Sequence, residues 1–337
     1  MSLPAPPAGG ARTRRLGVLG SFVWDEIHGR EPSAPVVEEW GGITYALGAV
    51  DAALPAGWAM VPIAKVGEDL APRAREFLRT LTRLAPDAAP VVVPQPNNRV
   101  VLRYVDAERR TETLRGGVPP WTWVGLAPLL HGLDALYVNL ISGFELDLDT
   151  FRLVRQHFKG PIYTDLHSLV LAVQPDGART WRPLPDVAQW CACTDFLQVN
   201  EDELAMLAPD GLALAATAHA QGVRALLVTL GARGAAWFAT PADAARPLAP
   251  RPVPTVASPL SSGPMVSARL DAVAVLDGAT DPTGCGDVWG ATMFSALLGG
   301  DSLDAAMRAA HRAAARNVRH RGATGLADHL RGVLSRS

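Results

Sequence analysis

The chain has 337 residues, 48% of them hydrophobic, enough to bury a large core as one α/β domain or as a domain with a small appendage. Its net charge of −2 gives no electrostatic reason to expect nucleic acid or an anionic membrane as partner, and no run of about 18 apolar residues is present to span a bilayer. Three cysteines, Cys191, Cys193 and Cys285, cannot build a disulfide framework, and a Cys-x-Cys pair suits neither a zinc knuckle nor a redox couple, so a reducing cytoplasmic location is expected.

Residues 1–14 are rich in Pro, Ala and Gly, carry Arg12 and Arg14, and lack an apolar stretch, which predicts a disordered tail rather than a signal peptide. From 15 to 337 short apolar runs alternate with helical patterns. Strands are predicted at Leu16–Gly20, Ala59–Ala64, Ala135–Leu140, Ile162–Leu166, Phe196–Val199, Ala225–Leu230 and Ala272–Leu276. Helices are predicted at Ile43–Ala53, Ala71–Leu84, Asp149–Phe158, Glu201–Leu207, Leu212–Gln221, Val288–Leu298 and Leu303–His320, the last with Ser302 as N-cap. That rhythm is an α/β fold: a central, mostly parallel sheet with helices on both faces.

Two segments depart from it. Phe22–Trp40 and Asn98–Arg115 read as extended and alternating, as strands of a small β-sheet lid over a cleft, with Gly41-Gly42 and Gly116-Gly117 where hinges or ordinary turns belong. Thr240–Leu270 reads as a long loop with one or two short strands.

The chemistry concentrates in Asp281-Pro282-Thr283-Gly284-Cys285-Gly286-Asp287, a glycine-threaded turn running into an apolar helix. The first N–H groups of a helix have no partner within it, and the macrodipole adds positive charge there, so the turn offers an anion cradle beside an acid. The same dipole is expected to push the Asp287 carboxyl lower, making it a weak base. Upstream, Asn200 and Glu203 share one face at a strand-to-helix junction and can both address a hydrated Mg²⁺. Thr229, Gly231 and Gly234 form a strand and glycine turn that a nucleotide can approach, and Asp25 with Gly41 and Gly42 stands beyond the first strand.

In this order the motifs resemble those of the PfkB carbohydrate kinases, the ribokinase family, over roughly residues 15 to 325. The resemblance implies a Rossmann-type three-layer fold with a lid. It implies ATP-dependent transfer of a γ-phosphoryl group to a hydroxyl of a sugar or sugar-like molecule, with Asp287 as base and the Gly284, Cys285 and Gly286 N–H groups as anion hole. Thr229, Gly231, Gly234, Asn200 and Thr283 then stand on the ATP side, and Glu203 with Asn200 organises Mg²⁺ through water; K⁺ is an optional further cation. Asp25, Gly41, Gly42, Asp165, His167 and Arg99 fall on the acceptor side. A homodimer through the lid is a family tendency.

The chain departs from the family pattern at Cys285, at Pro282, at Thr44-Tyr45-Ala46, and at His167 and Leu169, which replace an amide and an arginine. These changes leave the acceptor open, with a nucleoside or a non-catalytic sugar- or nucleoside-binding regulator as alternatives. Arg99, Arg103, Arg109, Arg110 and Arg115 fit either a phosphate on the acceptor or a charged outer lid face. Trp24, Trp40, Trp121 and Trp123 fit either ring stacking or a hydrophobic patch of the lid, and His311 and Asn317 either border adenine or pack on the sheet. No Gly-x-x-x-x-Gly-Lys-[Ser/Thr] and no Gly-x-Gly-x-x-Gly after the first strand is present, which disfavours a P-loop kinase and a dinucleotide-dependent oxidoreductase.

Overall fold

A side chain's place along a strand decides which face of the sheet it covers, because successive residues point to opposite sides. The computed structural model describes residues 12–28, 35–104, 110–250, 264–275 and 281–333. The chain opens with β1 (Arg14–Leu19), β2 (Phe22–His28), β3 (Val37–Gly42) and β4 (Trp58–Ile63). Next come β5 (Lys65–Gly67), β6 (Val91–Val93), β7 (Asn98–Tyr104), β8 (Arg110–Arg115), β9 (Ala135–Asn139) and β10 (Ile162–Asp165). The remaining strands are β11 (Leu171–Val173), β12 (Arg179–Trp181), β13 (Phe196–Asn200), β14 (Ala225–Thr229), β15 (Ala235–Ala239) and β16 (Val266–Leu270).

The main sheet has eight strands in the order β16-β15-β14-β13-β10-β9-β1-β4. Its strands from β4 to β14 run parallel, and β15 and β16 close one side antiparallel. On one face Tyr137 and Tyr163 join a core with helices Ile43–Ala53, Cys285–Leu298 and Leu303–Asn317; on the other, Leu136, Val138 and Ile162 join a core with helices Leu148–His157 and Gly211–Ala220. Phe294 fixes the Cys285–Leu298 helix to the sheet, with its ring 5.3 Å from Tyr163, 6.4 Å from Tyr137 and 6.2 Å from Phe196. Aromatic pairs of this kind contribute about 0.5–1.5 kcal/mol each beyond the area they bury. The predicted mostly parallel sheet between helices, with a smaller sheet beside it, is therefore the observed architecture.

The smaller sheet has the order β3-β2-β7-β8, with β2 and β7 parallel. Its edge strand β8 is tied to the turn before β12: Leu114 N–H donates to Gly177 O at 2.9 Å.

Several boundaries differ from expectation. The strand predicted at Ala272–Leu276 lies earlier, at β16, where Val266–Leu270 pairs with β15; Leu276 is outside the described residues. β15 itself, Ala-Ala-Trp-Phe-Ala, carries no β-branched residue to announce it. The helix from Ala71 stops at Arg79, not Leu84, because the following segment joins β4: Met60 N–H donates to Arg83 O at 2.8 Å and Ala85 N–H to Met60 O at 2.9 Å. Arg14, predicted in the tail, opens β1 beside Trp58, and its guanidinium lies over that indole. Residues 1–11 are outside the described residues, as is 251–263 of the predicted long loop, which includes a short helix at Pro241–Ala245.

Candidate active site

Four parallel strands deliver polar residues to their carboxyl ends, the edge at which open α/β sheets bind ligands. β9 ends at Asn139, β10 at Asp165, β13 at Asn200 and β14 at Thr229. Register places Asp165 beside both Asn139 and Gln198, and Asn200 beside Thr229. The Cys285–Leu298 helix begins against this edge.

The turn before that helix is held internally. Asp281 Oδ1 accepts from Thr283 N–H at 2.9 Å, and Asn317 Nδ2 donates to Thr283 O at 2.9 Å. Gly284 caps the helix with φ of 72° and lies under the Tyr45 ring. Cys285 N–H donates to Pro282 O at 3.1 Å, which leaves Gly284 and Gly286 as the N–H donors of the predicted cradle without an acceptor among the described residues. The Cys285 thiol is 3.2 Å from Asn317 Nδ2, and burial pushes it up to about 11, so it is a protonated packing group and not a thiolate nucleophile.

Asp287 is buried, and its Oδ1 accepts from Asn139 Nδ2 at 2.6 Å. The expected lowering of its carboxyl is reversed. Burial raises it above the ordinary carboxylate range, outweighing the opposing pull of His167, of the Asn139 hydrogen bond and of its own backbone N–H. Asp165 is raised well above its usual value by burial and then by the charges of Glu203 and Asp287, and it accepts from Gln198 Nε2 at 3.1 Å. Glu203 is pushed up to about 8, chiefly by burial. It interlocks with Asn200 in a capping box: Asn200 N–H donates to Oε2 at 2.9 Å and Asn200 Nδ2 to Oε1 at 2.7 Å.

Two clefts meet at the turn. One, of about 750 Å³, is lined by Thr229, Gly231, Gly234 and Pro282 together with Ala272–Val275, Trp289, His311 and Ala314. The other, of about 580 Å³, holds Asp287, Asp25, Gly42, Asp165, His167 and Glu203, closed on one side by Val23, Val100 and Leu102 of the smaller sheet. Both touch Asn200, Thr229, Pro282, Cys285 and Gly286; Thr283 and Gly284 line the second. Gly41 stands behind Asp25, where a Cβ would come within 1.9 Å of Asp25 Oδ2. Gly41→Ala is accordingly expected to turn the Asp25 carboxylate away at a cost of about 1–3 kcal/mol of strain, read as a lower urea midpoint.

The structure does not bring every candidate together. Arg99 lies away from both clefts, pairing with Asp69 at 3.2 Å and Glu26 at 3.5 Å, while Arg103 and Arg115 are exposed and Arg109 is outside the described residues. Trp24 and Trp40 pack edge-to-face with each other at 5.0 Å, Trp121 lies under Lys65 and Trp123 stacks on His157, and none of the four lines either of these two clefts. Asn317 packs on the turn, whereas His311 borders the larger cleft with its Nδ1 accepting from Trp289 Nε1 at 3.2 Å.

Sequence reasoning passed over Asn139, Gln198, Tyr45's seat on Gly284, and Arg179, whose guanidinium enters the second cleft from β12 and donates to Ser142 O at 3.1 Å. Asn139 did carry a signal as the lone amide of an otherwise apolar strand, and Gln198 as an amide between Leu197 and Val199 in mid-strand, because a buried polar group needs a reason.

No family model matches the chain, and no curated protein matches it. Solved structures do. A nucleoside kinase from Burkholderia thailandensis in complex with inosine superposes with a TM-score of 0.69 at 17% identity, over 93% of this chain and 94% of that one. A pyrophosphate-dependent kinase in the ribokinase family, complexed with a pyrophosphate analog and myo-inositol, gives 0.68 at 15% identity over 93% and 98% of the two chains. The ribokinase of Arabidopsis thaliana complexed with ribose and ATP gives 0.65 at 16% identity over 96% and 100%. The chain thus has the ribokinase fold.

Proposed function

We propose that this protein is a kinase that moves the γ-phosphoryl group of ATP to a hydroxyl of a sugar or sugar-like molecule. The observation that carries this reading is the meeting of two clefts at one helix start, with Asp287 lining only the smaller. A donor in the larger cleft and an alcohol in the smaller one would face each other across Gly284–Gly286. The apolar wall of Ala272, Val273, Val275, Ala314 and Val318 suits a nucleobase, in line with the ATP held by the Arabidopsis relative.

Phosphoryl transfer passes through a loose transition state, so alignment and charge neutralisation supply most of the rate. Gly284 and Gly286 N–H groups, at the positive end of a helix dipole, would stabilise the moving group; one such donor is worth about 2.7–4 kcal/mol in other anion holes. Asp287 takes the acceptor's proton, and Asn139 keeps its carboxylate aimed. Asp25, held against Gly41, and Asp165 are placed to accept from the acceptor's other hydroxyls.

Among the described residues no three His, Cys, Asp or Glu side chains are grouped to hold a metal ion directly. The donor set instead fits Mg²⁺ held through water. The charges of Glu203 and Asp287 raise the Asp165 carboxyl, and that of Asp287 raises Glu203, at the junction of the clefts, a repulsion that a dication relieves, and Glu203 with Asn200 and Asp202 faces that point. Mg²⁺ bound there would neutralise charge on the β- and γ-phosphates.

A nucleoside acceptor is the second reading, favoured by the apolar wall of Val23, Val100, Leu102, Ile141 and Leu171 and by half-exposed Trp181 at the cleft. Measuring ATP consumption and phosphorylated product over a panel of sugars, polyols and nucleosides tests both. Turnover of neither class, with tight binding of one, would replace the kinase reading with a non-catalytic regulator. The three free cysteines support a reducing, cytoplasmic setting.

A further inference from the structure

His167 follows β10 in a short 3-10 turn and has a φ of 44°, a left-handed conformation uncommon in non-glycine residues. Its Nδ1 is 2.8 Å from Ser168 Oγ, which orients the ring, and its Nε2 faces Asp287 Oδ1 at 4.0 Å. The two partners differ in access to water: the His167 side chain is 37% exposed and that of Asp287 8%. Asn139, the other group on Asp287 Oδ1, is an amide and cannot carry a proton away.

We propose that His167 receives the proton from Asp287 and passes it to solvent, resetting the base after each turnover. This rests on the kinase reading. In the transfer, the acceptor's O–H bond breaks as its oxygen bonds to the γ-phosphorus, and the bond from that phosphorus to the β–γ bridging oxygen breaks with its electron pair staying on ADP. The proton goes to the Asp287 carboxylate, then to His167 Nε2, and the ring releases one proton to water, so the balance closes with no further reactant. The 4.0 Å gap exceeds a hydrogen bond, and such contacts tighten or fill with one water once the acceptor is bound.

The groups facing His167 come from every wall. Asp165 lies on its own strand, Asp202 and Glu203 on the helix Glu201–Leu207, and Asp287 on the turn. Asp25 and Glu112 face it from the smaller sheet and Arg179 from β12. The acids on these walls outnumber the one guanidinium, and Mg²⁺ held through water among Asp165, Glu203 and Asp287 would offset part of their charge. His167 acts through Asp287 and is in that sense a positioning residue.

Steady-state turnover of the full-length protein with ATP and its acceptor, compared for wild type, His167→Gln and His167→Ala, tests this. Both variants are expected to lose about a hundredfold in kcat with little change in acceptor KM. Free imidazole in the buffer is expected to restore much of the rate to His167→Ala and none to wild type. A loss of kcat that imidazole does not restore, or a rise in KM alone, overturns the relay and makes His167 an acceptor contact. The ring ¹⁵N signals of His167, recorded in wild type and Asp287→Asn, give a readout independent of activity: signals unmoved by the substitution overturn the pairing. Absence of turnover in the wild type while those signals do move defeats the kinase reading and leaves the pairing intact.

Discussion

Asp287→Asn is expected to lower kcat by about 10²–10⁴-fold, the range for removal of a general base, while ATP binds as before. The substitution keeps the shape of the side chain. Its amide can turn its oxygen to the Asn139 Nδ2 that now lies 2.6 Å from Oδ1, so the helix start and its free N–H donors stay in place. ATP affinity survives because the larger cleft is built without residue 287. The two readouts must therefore separate: turnover collapses in a coupled assay, while calorimetric titration with a non-hydrolysable ATP analogue changes little. Loss of both together would mean that Asp287 supports the turn and does not take the proton.

The same carboxylate sets a pH limit with a definite sign. Only the ionised form accepts a proton, and burial raises the carboxyl above its ordinary range. Rate is therefore expected to be full above that raised value and to fall as pH drops through it, at a higher pH than an exposed aspartate would give. A kcat profile flat down to the usual carboxylate range would show that bound Mg²⁺ and His167 cancel the effect of burial, or that Asp287 is not the base.

The expectation of a lowered carboxyl went wrong because the helix dipole is legible in a sequence and desolvation is not. The turn Asp281–Asp287 announces a helix N-terminus by its glycines alone, but that Asp287 lies under a sheet edge among Asp165 and Glu203 depends on contacts between residues far apart in the chain. The main sheet was legible because parallel strands buried on both faces are continuous apolar runs. β15, made mostly of alanine, and the β4 partner segment around Leu84 were not, because pairing and not propensity makes them extended. Acid and glycine candidates at strand ends came together in the fold, since chain topology alone carries them there. Arg99 did not, since which side of a small sheet faces the cleft depends on its register, and the sequence alternation is ambiguous by one residue.

Gly284→Ala is expected to be the most damaging single change at the turn, because two independent costs fall on one methyl group. At φ of 72° an alanine is strained by about 1–2 kcal/mol. Its Cβ would also lie 2.2 Å from Tyr45 Cδ1 and 2.3 Å from Cγ, inside van der Waals contact with a ring that is buried and cannot swing clear. Overpacking of this kind costs about 1–3 kcal/mol, and the first-turn N–H groups that form the cradle are the part of the helix free to move in response. A lower urea midpoint and a loss of kcat are both expected. Adding Tyr45→Ala removes the ring but not the backbone cost, so the double variant should recover stability in part and turnover hardly at all, a non-additivity that a double-mutant cycle measures directly. Full recovery of turnover on removing the ring would instead place the whole effect in the clash, and the N–H cradle would then tolerate an alanine at its centre.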